Sequence, residues 1–435
     1  MLHIAVVGSG PAGMYLVEAL TKASAGAVQV DVIDRLPTPY GLIRSGVAPD
    51  HASVRAVTQR FEQAFDKPGV RLIGAVEVGR DVRLAELRQL YDAVVLANGC
   101  PVDKRLGISG ENLPGVWGSA GFSGWYNAHP DHIGQVVADL PDTVVVIGNG
   151  NVAIDAARLM TKPEQALAAT DMAPQAVALL GRSRVRKVVL AGRRGPADAR
   201  FSVKELEELG EVANVSLALP EAVTWPSDAE IEAMPPAQSA MLQALRGYAT
   251  QPTLGRPRDI ELQFLARPVE ILGAEHVEAV RFERMAPTAD GVQGTGAFFD
   301  VPCGAVITCI GYQARPFESV PMDAQRGGFL NHEGCIEPGL YCTGWARRGP
   351  SGTIATNRAD ANQVAQRLLR EQQPRGTAGP DGLDRLLQLR DVRMATVSHW
   401  RAIDQAERAR AEGAAPRRKF QTLAEMRAVC DGLVA

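Results

Sequence analysis

Gly8-Ser9-Gly10-Pro11-Ala12-Gly13, preceded by the apolar run Ile4–Val7, decides the reading of this chain together with a second stretch. That second stretch is Gly148-Asn149-Gly150-Asn151-Val152-Ala153, preceded by Val144–Ile147. Each is a glycine-rich turn between a strand and a helix. The first glycine lets the chain bend sharply, and the second lets the backbone approach a pyrophosphate. The third small residue lets helix and strand pack closely, with the pyrophosphate at the positive end of the helix. One such turn is weak evidence, because a βα turn rich in glycine can hold nothing. Two point to a protein that holds two nucleotides face to face and moves electrons between them.

The residues downstream tell the two sites apart. After the first turn, the strand Val28–Ile33 ends in Asp34, about twenty residues past the last glycine, where a ribose-binding acid is expected. A carboxylate there accepts ribose hydroxyls and repels a 2′-phosphate, so the first site suits FAD or NAD. After the second turn, the strand Val188–Ala191 ends in Gly192-Arg193-Arg194-Gly195-Pro196. Two guanidiniums at that point pair with a phosphate through charge-assisted bonds. The second nucleotide is expected to be NADPH rather than NADH. The interval from Ala153 to Arg193 is roughly twice the usual length for such a unit. Thr161–Arg186 reads as a mostly helical, Ala-rich insertion in the crossover.

Composition bounds the class. A chain of 435 residues has room for two or three domains, and 46% hydrophobic with 22% charged residues is typical of a soluble globular enzyme. A net charge of −3 argues against general nucleic-acid binding. No apolar run approaches the roughly 18 residues of a spanning helix. The first strand begins almost at residue 1, so no targeting segment is visible and a cytoplasmic location is expected. The cysteines are Cys100, Cys303, Cys309, Cys335, Cys342 and Cys430. None forms C-x-x-C or clusters as a zinc or iron–sulfur site requires, so no metal site and no dithiol relay are expected.

Apolar strands at 3–7, 28–33, 93–97, 144–147, 188–191, 305–310 and 340–343 alternate with helical stretches, the pattern of doubly wound α/β sheets. Strand ends at Ala97-Asn98-Gly99 and Ile310-Gly311 mark two crossings between domains. The expected fold is therefore α/β, two Rossmann-like dinucleotide-binding domains with the second inserted into the first. The boundaries are 1–104, 105–316 and 317–435. Gln373–Gly382 reads as a surface loop, Leu383–Arg410 as helices, and Arg417-Arg418-Lys419 as a small basic run open to docking.

With these residues assembled, the chain resembles the adrenodoxin-reductase-type ferredoxin–NADP⁺ reductases, bacterial and mitochondrial, from end to end. The likeness includes the long run from Leu36 to His51 (LPTPYGLIRSGVAPDH), which is more specific than either glycine turn. It also includes Gly124-Trp125-Tyr126-Asn127, Gly192–Pro196 and Gly344–Gly352. The resemblance implies tightly but non-covalently bound FAD, oxidation of NADPH, and single-electron delivery to a ferredoxin or flavodoxin. It implies an FAD site of Gly8, Gly10, Pro11, Ala12 and Gly13 at the pyrophosphate and Asp34 at the ribose. Leu42 and Val78 would line the cofactor, Trp345 would pack near the flavin, and Gly352, Thr353 and Ile354 would pass its pyrimidine edge. The family usually has Glu at the position of Asp34. The implied NADP(H) site comprises Asn149, Gly150, Asn151, Val152 and Ala153, with Arg193 and Arg194 on the 2′-phosphate, Glu205 near the adenosine and Lys104 nearby.

His51 and Glu208 match an active-site pair in such relatives, one from each domain, which would tune the approach of the nicotinamide. Read without the resemblance, His51 would cap a turn after Pro49-Asp50. Ferredoxins are generally acidic, and Arg347, Arg348, Arg256 and Arg258 are candidates for a locally basic docking face. A monomer is expected. Competing readings are a glutamate-synthase small-subunit-like reductase, a flavin monooxygenase, and a flavin-binding regulatory protein without turnover. The first normally carries an N-terminal cysteine-rich domain, whereas the strand here starts at residue 2. The second would need an organic substrate, and the third would not need Arg193 and Arg194.

Overall fold

The computed structural model describes residues 1–136, 139–219, 225–250, 256–288 and 290–432. The chain divides into two compact units. The first is Met1–Val102 with Asn127–Pro130 and Gly311–Ala435; the second is Asp103–Tyr126 with Asp131–Ile310. The divisions fall at 102/103 and 310/311, where the sequence suggested 104/105 and 316/317. Asn127–Pro130 belongs to the first unit because Asn127 is buried there and hydrogen-bonded to Val47.

The sheet of the first unit runs, edge to edge, Cys335–Glu337, Leu340–Cys342, Ala93–Leu96, Leu2–Val7, Val28–Ile33 and Val70–Ile73. All neighbours are parallel except the pair at the Cys335 edge. The strand before the first glycine turn therefore lies between the next strand in sequence and a later one. That reversal of order opens a crevice at the carboxyl ends of the strands, where nucleotides bind in such sheets. Both faces are covered, so the strand is apolar at nearly every position. Ile4 and Val6 face one core cluster with Met14, Leu16 and Trp400, while Ala5 and Val7 face another with Leu84, Leu87 and Phe329.

The second unit repeats the plan. Its all-parallel sheet runs Val116–Gly118, Ala305–Thr308, Thr143–Ile147, Lys187–Ala191, Arg258–Gln263 and Val215–Ala218. Again the strand before the glycine turn sits where the order reverses. The Thr161–Arg186 stretch forms two short helices, Glu164–Ala168 and Pro174–Gly181, with Leu167, Leu179 and Leu180 buried. A three-stranded antiparallel sheet, Ala266–Leu272, Ala279–Thr288 and Gly291–Pro302, adds to this unit. Among the described residues no helix is long and apolar enough to cross a membrane.

Candidate cofactor sites

In the first unit, Gly8 takes φ +107°, and a Cβ there would lie 2.6 Å from Ala97 O. A Cβ on Gly13 would lie 2.1 Å from Gly8 O. Both positions demand glycine because backbone passes too close for any side chain. Gly10 differs. It has φ −69° and ψ −176°, and a Cβ there would meet nothing within 4 Å. Its missing side chain leaves open a cradle at the start of the helix Pro11–Ala23, which no side chain caps. Unsatisfied N–H groups and the helix dipole make that space fit for a pyrophosphate.

Several segments converge on this turn. Tyr40 N donates to Ser9 O at 3.1 Å, and a Cβ on Gly41 would lie 3.1 Å from Gly10 Cα. Leu42, 45% exposed, follows directly. Gly344, at φ +67°, brings Trp345 alongside, since a Cβ on Gly344 would lie 2.3 Å from Ala12 Cβ. Trp345 stacks on Tyr312 with centroids 5.7 Å apart and donates through Nε1 to Ser351 O at 3.1 Å. This bond ties the indole to the exposed Gly352-Thr353 stretch and half-buried Ile354, which lead into the helix Thr356–Glu371. Val78 is half-buried and bridges to Val82.

Asp34 is engaged inside the protein. Its Oδ2 accepts from Ser9 N at 3.0 Å and from Ser9 Oγ, and its Oδ1 accepts from Leu36 N at 3.0 Å. An ionised carboxylate has about four acceptor sites, so room for ribose hydroxyls is smaller than the sequence suggested. Beside Gly8, Asn98 Oδ1 is buried without a hydrogen-bond partner. An orphaned acceptor at that position fits a polar ligand group. Asn98, Tyr40 and Gly41 were not singled out from sequence as individual site residues.

In the second unit, Gly148 has φ +151°, and a Cβ there would lie 2.3 Å from Cys309 O. Gly150 has φ −122° and ψ 176°, and a Cβ would again meet nothing within 4 Å, above the uncapped start of the helix Asn151–Thr161. Ala153 packs at 1% exposure in the third position. Asn149 Nδ2 is buried without a partner, and its atoms would crowd a Cβ on Gly192, the residue before Arg193. Arg200 N donates to Asn149 O at 2.8 Å, and Ser202 N donates to Asn151 Oδ1 at 3.0 Å. The Gly192–Ser202 loop thus folds back on the turn. Arg193 is exposed, Arg194 lies 3.8 Å from Asp198, and Arg200 adds a third exposed guanidinium that sequence reasoning missed.

Glu205 lies in the first turn of the helix Val203–Gly210, where its N–H bonds the capping Ser202 side chain at 3.2 Å. Glu208, one turn on, lies 3.5 Å from Lys204. Half-buried Lys104 follows Asp103, whose carboxylate takes Ser119 Oγ and Ala120 N at 3.0 Å. Burial pushes the Asp103 carboxyl above its ordinary range. His51 precedes the one-turn helix Ala52–Arg55, and its side chain makes no capping bond to it.

The basic candidates for docking each have a partner within the fold. Arg347 pairs with Asp360 at 2.5 Å, and Arg348 reaches Asn357 at 2.8 Å. Arg256 donates to Val215 O and Arg258 to Thr161 O. In the basic run, Arg417 pairs with Asp404, Arg418 pairs with Glu412, and Lys419 is 3% exposed. The Gln373–Gly382 stretch is pinned by Asp92, which accepts from Arg375 N at 2.8 Å, and by His3 Nδ1 against Thr377 O at 3.1 Å. Its last residues open the helix Gly379–Leu389.

Two dinucleotide cradles of different charge, each at a strand-order reversal, define a two-nucleotide oxidoreductase. Residues 2–190 match the family model described as pyridine nucleotide-disulphide oxidoreductase. The chain is 37% identical over 439 residues to the mitochondrial NADPH:adrenodoxin oxidoreductase of Arabidopsis thaliana, covering 94% of this chain and 90% of that protein. It is also 37% identical to the NADPH-ferredoxin reductase FprA of Mycobacterium tuberculosis, covering 98% of each. The solved structure of that FprA in complex with NADPH superposes with a TM-score of 0.93 at 36% identity, over 98% of this chain and 99% of that one. The chain belongs to the family of NADPH–ferredoxin and NADPH–adrenodoxin reductases.

Proposed function

We propose that this chain oxidises NADPH and delivers single electrons to an iron–sulfur protein of the ferredoxin type, with FAD in the first unit and NADPH in the second. The observation that carries the reading is the asymmetry of the two turns. A carboxylate, Asp34, closes the first, and Arg193, Arg194 and Arg200 border the second. The arginine pair that follows the second strand end suits a 2′-phosphate.

When bound, FAD supplies the conversion of a two-electron donor to single-electron delivery. The protein's own groups bind and orient. Gly8, Gly10, Pro11, Ala12 and Gly13 cradle one pyrophosphate; Asn149, Gly150, Asn151, Val152 and Ala153 cradle the other. Asp34 takes a ribose hydroxyl, and Leu42, Val78, Trp345, Gly352, Thr353 and Ile354 enclose the flavin. Glu205 and Lys104 flank the dinucleotide of the second unit. His51 and Glu208 orient the nicotinamide. Hydride transfer needs alignment rather than a protein nucleophile. A flavodoxin as the alternative carrier, a monomeric state and a cytoplasmic location complete the proposal.

The test is stopped-flow reduction of the purified holoprotein, followed by cytochrome c reduction with added ferredoxin. NADPH is expected to bleach the flavin faster than NADH. Ferredoxin-dependent turnover is expected to weaken as salt rises, while reduction of a small neutral dye does not. A preference for NADH, or turnover indifferent to ferredoxin, overturns the reading.

A further inference from the structure

We propose that Asn127 is a positioning residue that clamps both ends of the loop carrying His51. The Gly124–Asn127 motif stands out in the sequence, yet no cofactor role above uses it. Asn127 is 1% exposed, and both ends of its amide are hydrogen-bonded. Nδ2 donates to Val47 O at 3.1 Å, and Oδ1 accepts from Arg55 Nη2 at 2.5 Å. The same Arg55 nitrogen donates to Val47 O at 2.5 Å. Val47 and Arg55 bracket His51, so one side chain and one guanidinium staple the loop shut at its base.

From below, buried Lys419 donates to Asn127 Oδ1 at 3.5 Å and to Arg44 O at 3.0 Å. Arg44 is in turn paired with fully buried Glu407 at 2.5 Å. The clamp is therefore anchored in the C-terminal part of the first unit. Within the loop, the Arg55–Val47 bond and a few backbone bonds such as His51 N to Ala48 O are the main ties. Its only regular element is the single turn Ala52–Arg55, and an isolated turn of helix is unstable in water.

Asparagine suits the position because it donates to a carbonyl and accepts from cations at once. Aspartate keeps the acceptor and loses the donor, and leucine loses both. This inference rests on the orienting role proposed for His51, but the clamp itself is measurable without catalysis.

The experiment compares holoenzyme variants Asn127→Leu, Asn127→Asp and His51→Ala. Hydrogen–deuterium exchange in residues 47–55 is expected to accelerate by about tenfold or more in Asn127→Leu and less in Asn127→Asp, while the segment around Gly8–Gly13 is unchanged. NADPH-driven flavin bleaching is expected to slow by no more than about tenfold in Asn127→Leu, as in His51→Ala. The double variant is expected to be no slower than either single one, because both remove the same alignment. Unchanged exchange in 47–55, or rate losses that multiply, overturns the proposal. Should Asn127→Leu fail to fold, Asn127→Asp carries the same comparison. If NADPH does not bleach the wild-type flavin, the functional reading fails, and the exchange data still decide the clamp.

Discussion

Ser9 holds Asp34 by its backbone, with the Ser9 N–H donating to Asp34 Oδ2 at 3.0 Å. The acid at the end of the second strand is thus a brace of the glycine turn before it is a ligand of any ribose. Asp34→Ala removes the acceptor of Ser9 N, Ser9 Oγ and Leu36 N together. FAD release, followed by recovery of flavin fluorescence on dilution, is expected to quicken by about tenfold or more. Asp34→Asn keeps one acceptor and is expected to lie between the two. Equal FAD retention in wild type and Asp34→Ala would show that the brace is dispensable.

Gly10 and Gly150 are glycines of the uncrowded kind, with negative φ and room for a methyl group. Gly10→Ala and Gly150→Ala are expected to leave the thermal stability of cofactor-free protein within about 0.5 kcal/mol of wild type. Gly10→Ala is expected to bind FAD more than about tenfold more weakly, and Gly150→Ala to raise the KM for NADPH similarly, because the methyl stands where phosphate would take its N–H bonds. Gly8→Ala, forced against Ala97 O, is expected instead to prevent folding of the first unit. Titration calorimetry and melting curves separate these outcomes.

Arg193→Ala and Arg194→Ala are each expected to raise the KM for NADPH by about tenfold, since a charge-assisted bond is worth about 1.5–3 kcal/mol. The KM for NADH is expected to stay put, because that nucleotide lacks the 2′-phosphate. Arg200→Ala tests the guanidinium that the folded loop adds beside the turn. Parallel losses with both nucleotides would place these arginines elsewhere in the reaction.

Arg347, one of the candidates for a basic docking face, is paired within the fold. Asp360 is 7% exposed and takes Arg347, Thr343 Oγ1 and Gly344 N. Arg347→Ala strands part of that buried carboxylate, at a cost of about 3 kcal/mol. A lower melting temperature with an unchanged KM for ferredoxin is expected; the opposite pattern would restore Arg347 to a docking face.

All six cysteines are free, and burial pushes the Cys303 and Cys342 thiols up to about 12. At pH 8 only about one in ten thousand of such groups is thiolate, the form that reacts. Iodoacetamide at pH 8 is expected to leave NADPH-dependent turnover intact, and raising the pH toward 10 to speed alkylation at these two sites. Rapid inactivation at pH 8 would reveal a thiol on the electron path, as in disulphide-reducing branches of the matched family.

Both glycine turns and the strands before them were legible because their signals are local. A strand, a tight turn and a helix start are written in consecutive residues. That Asp34 and Arg193–Arg194 lie at strand ends was legible for the same reason. The antiparallel sheet over 266–302 was not, because strands such as Gly291–Pro302 are largely exposed and carry little apolar alternation. Nor were the partners of Arg347, Arg256 and Lys419, since a charge reads the same whether it faces water or a distant carbonyl. Asn98 and Arg200 reach the turns through contacts made only when the chain folds back.

The four residues Asn127–Pro130 carry a practical warning for anyone grafting parts between relatives. A chimera that swaps everything from 103 to 310 as one cassette also swaps the amide that Val47, Arg55 and Lys419 rely on. Four splice points, not two, are needed to exchange the second unit while leaving the first whole.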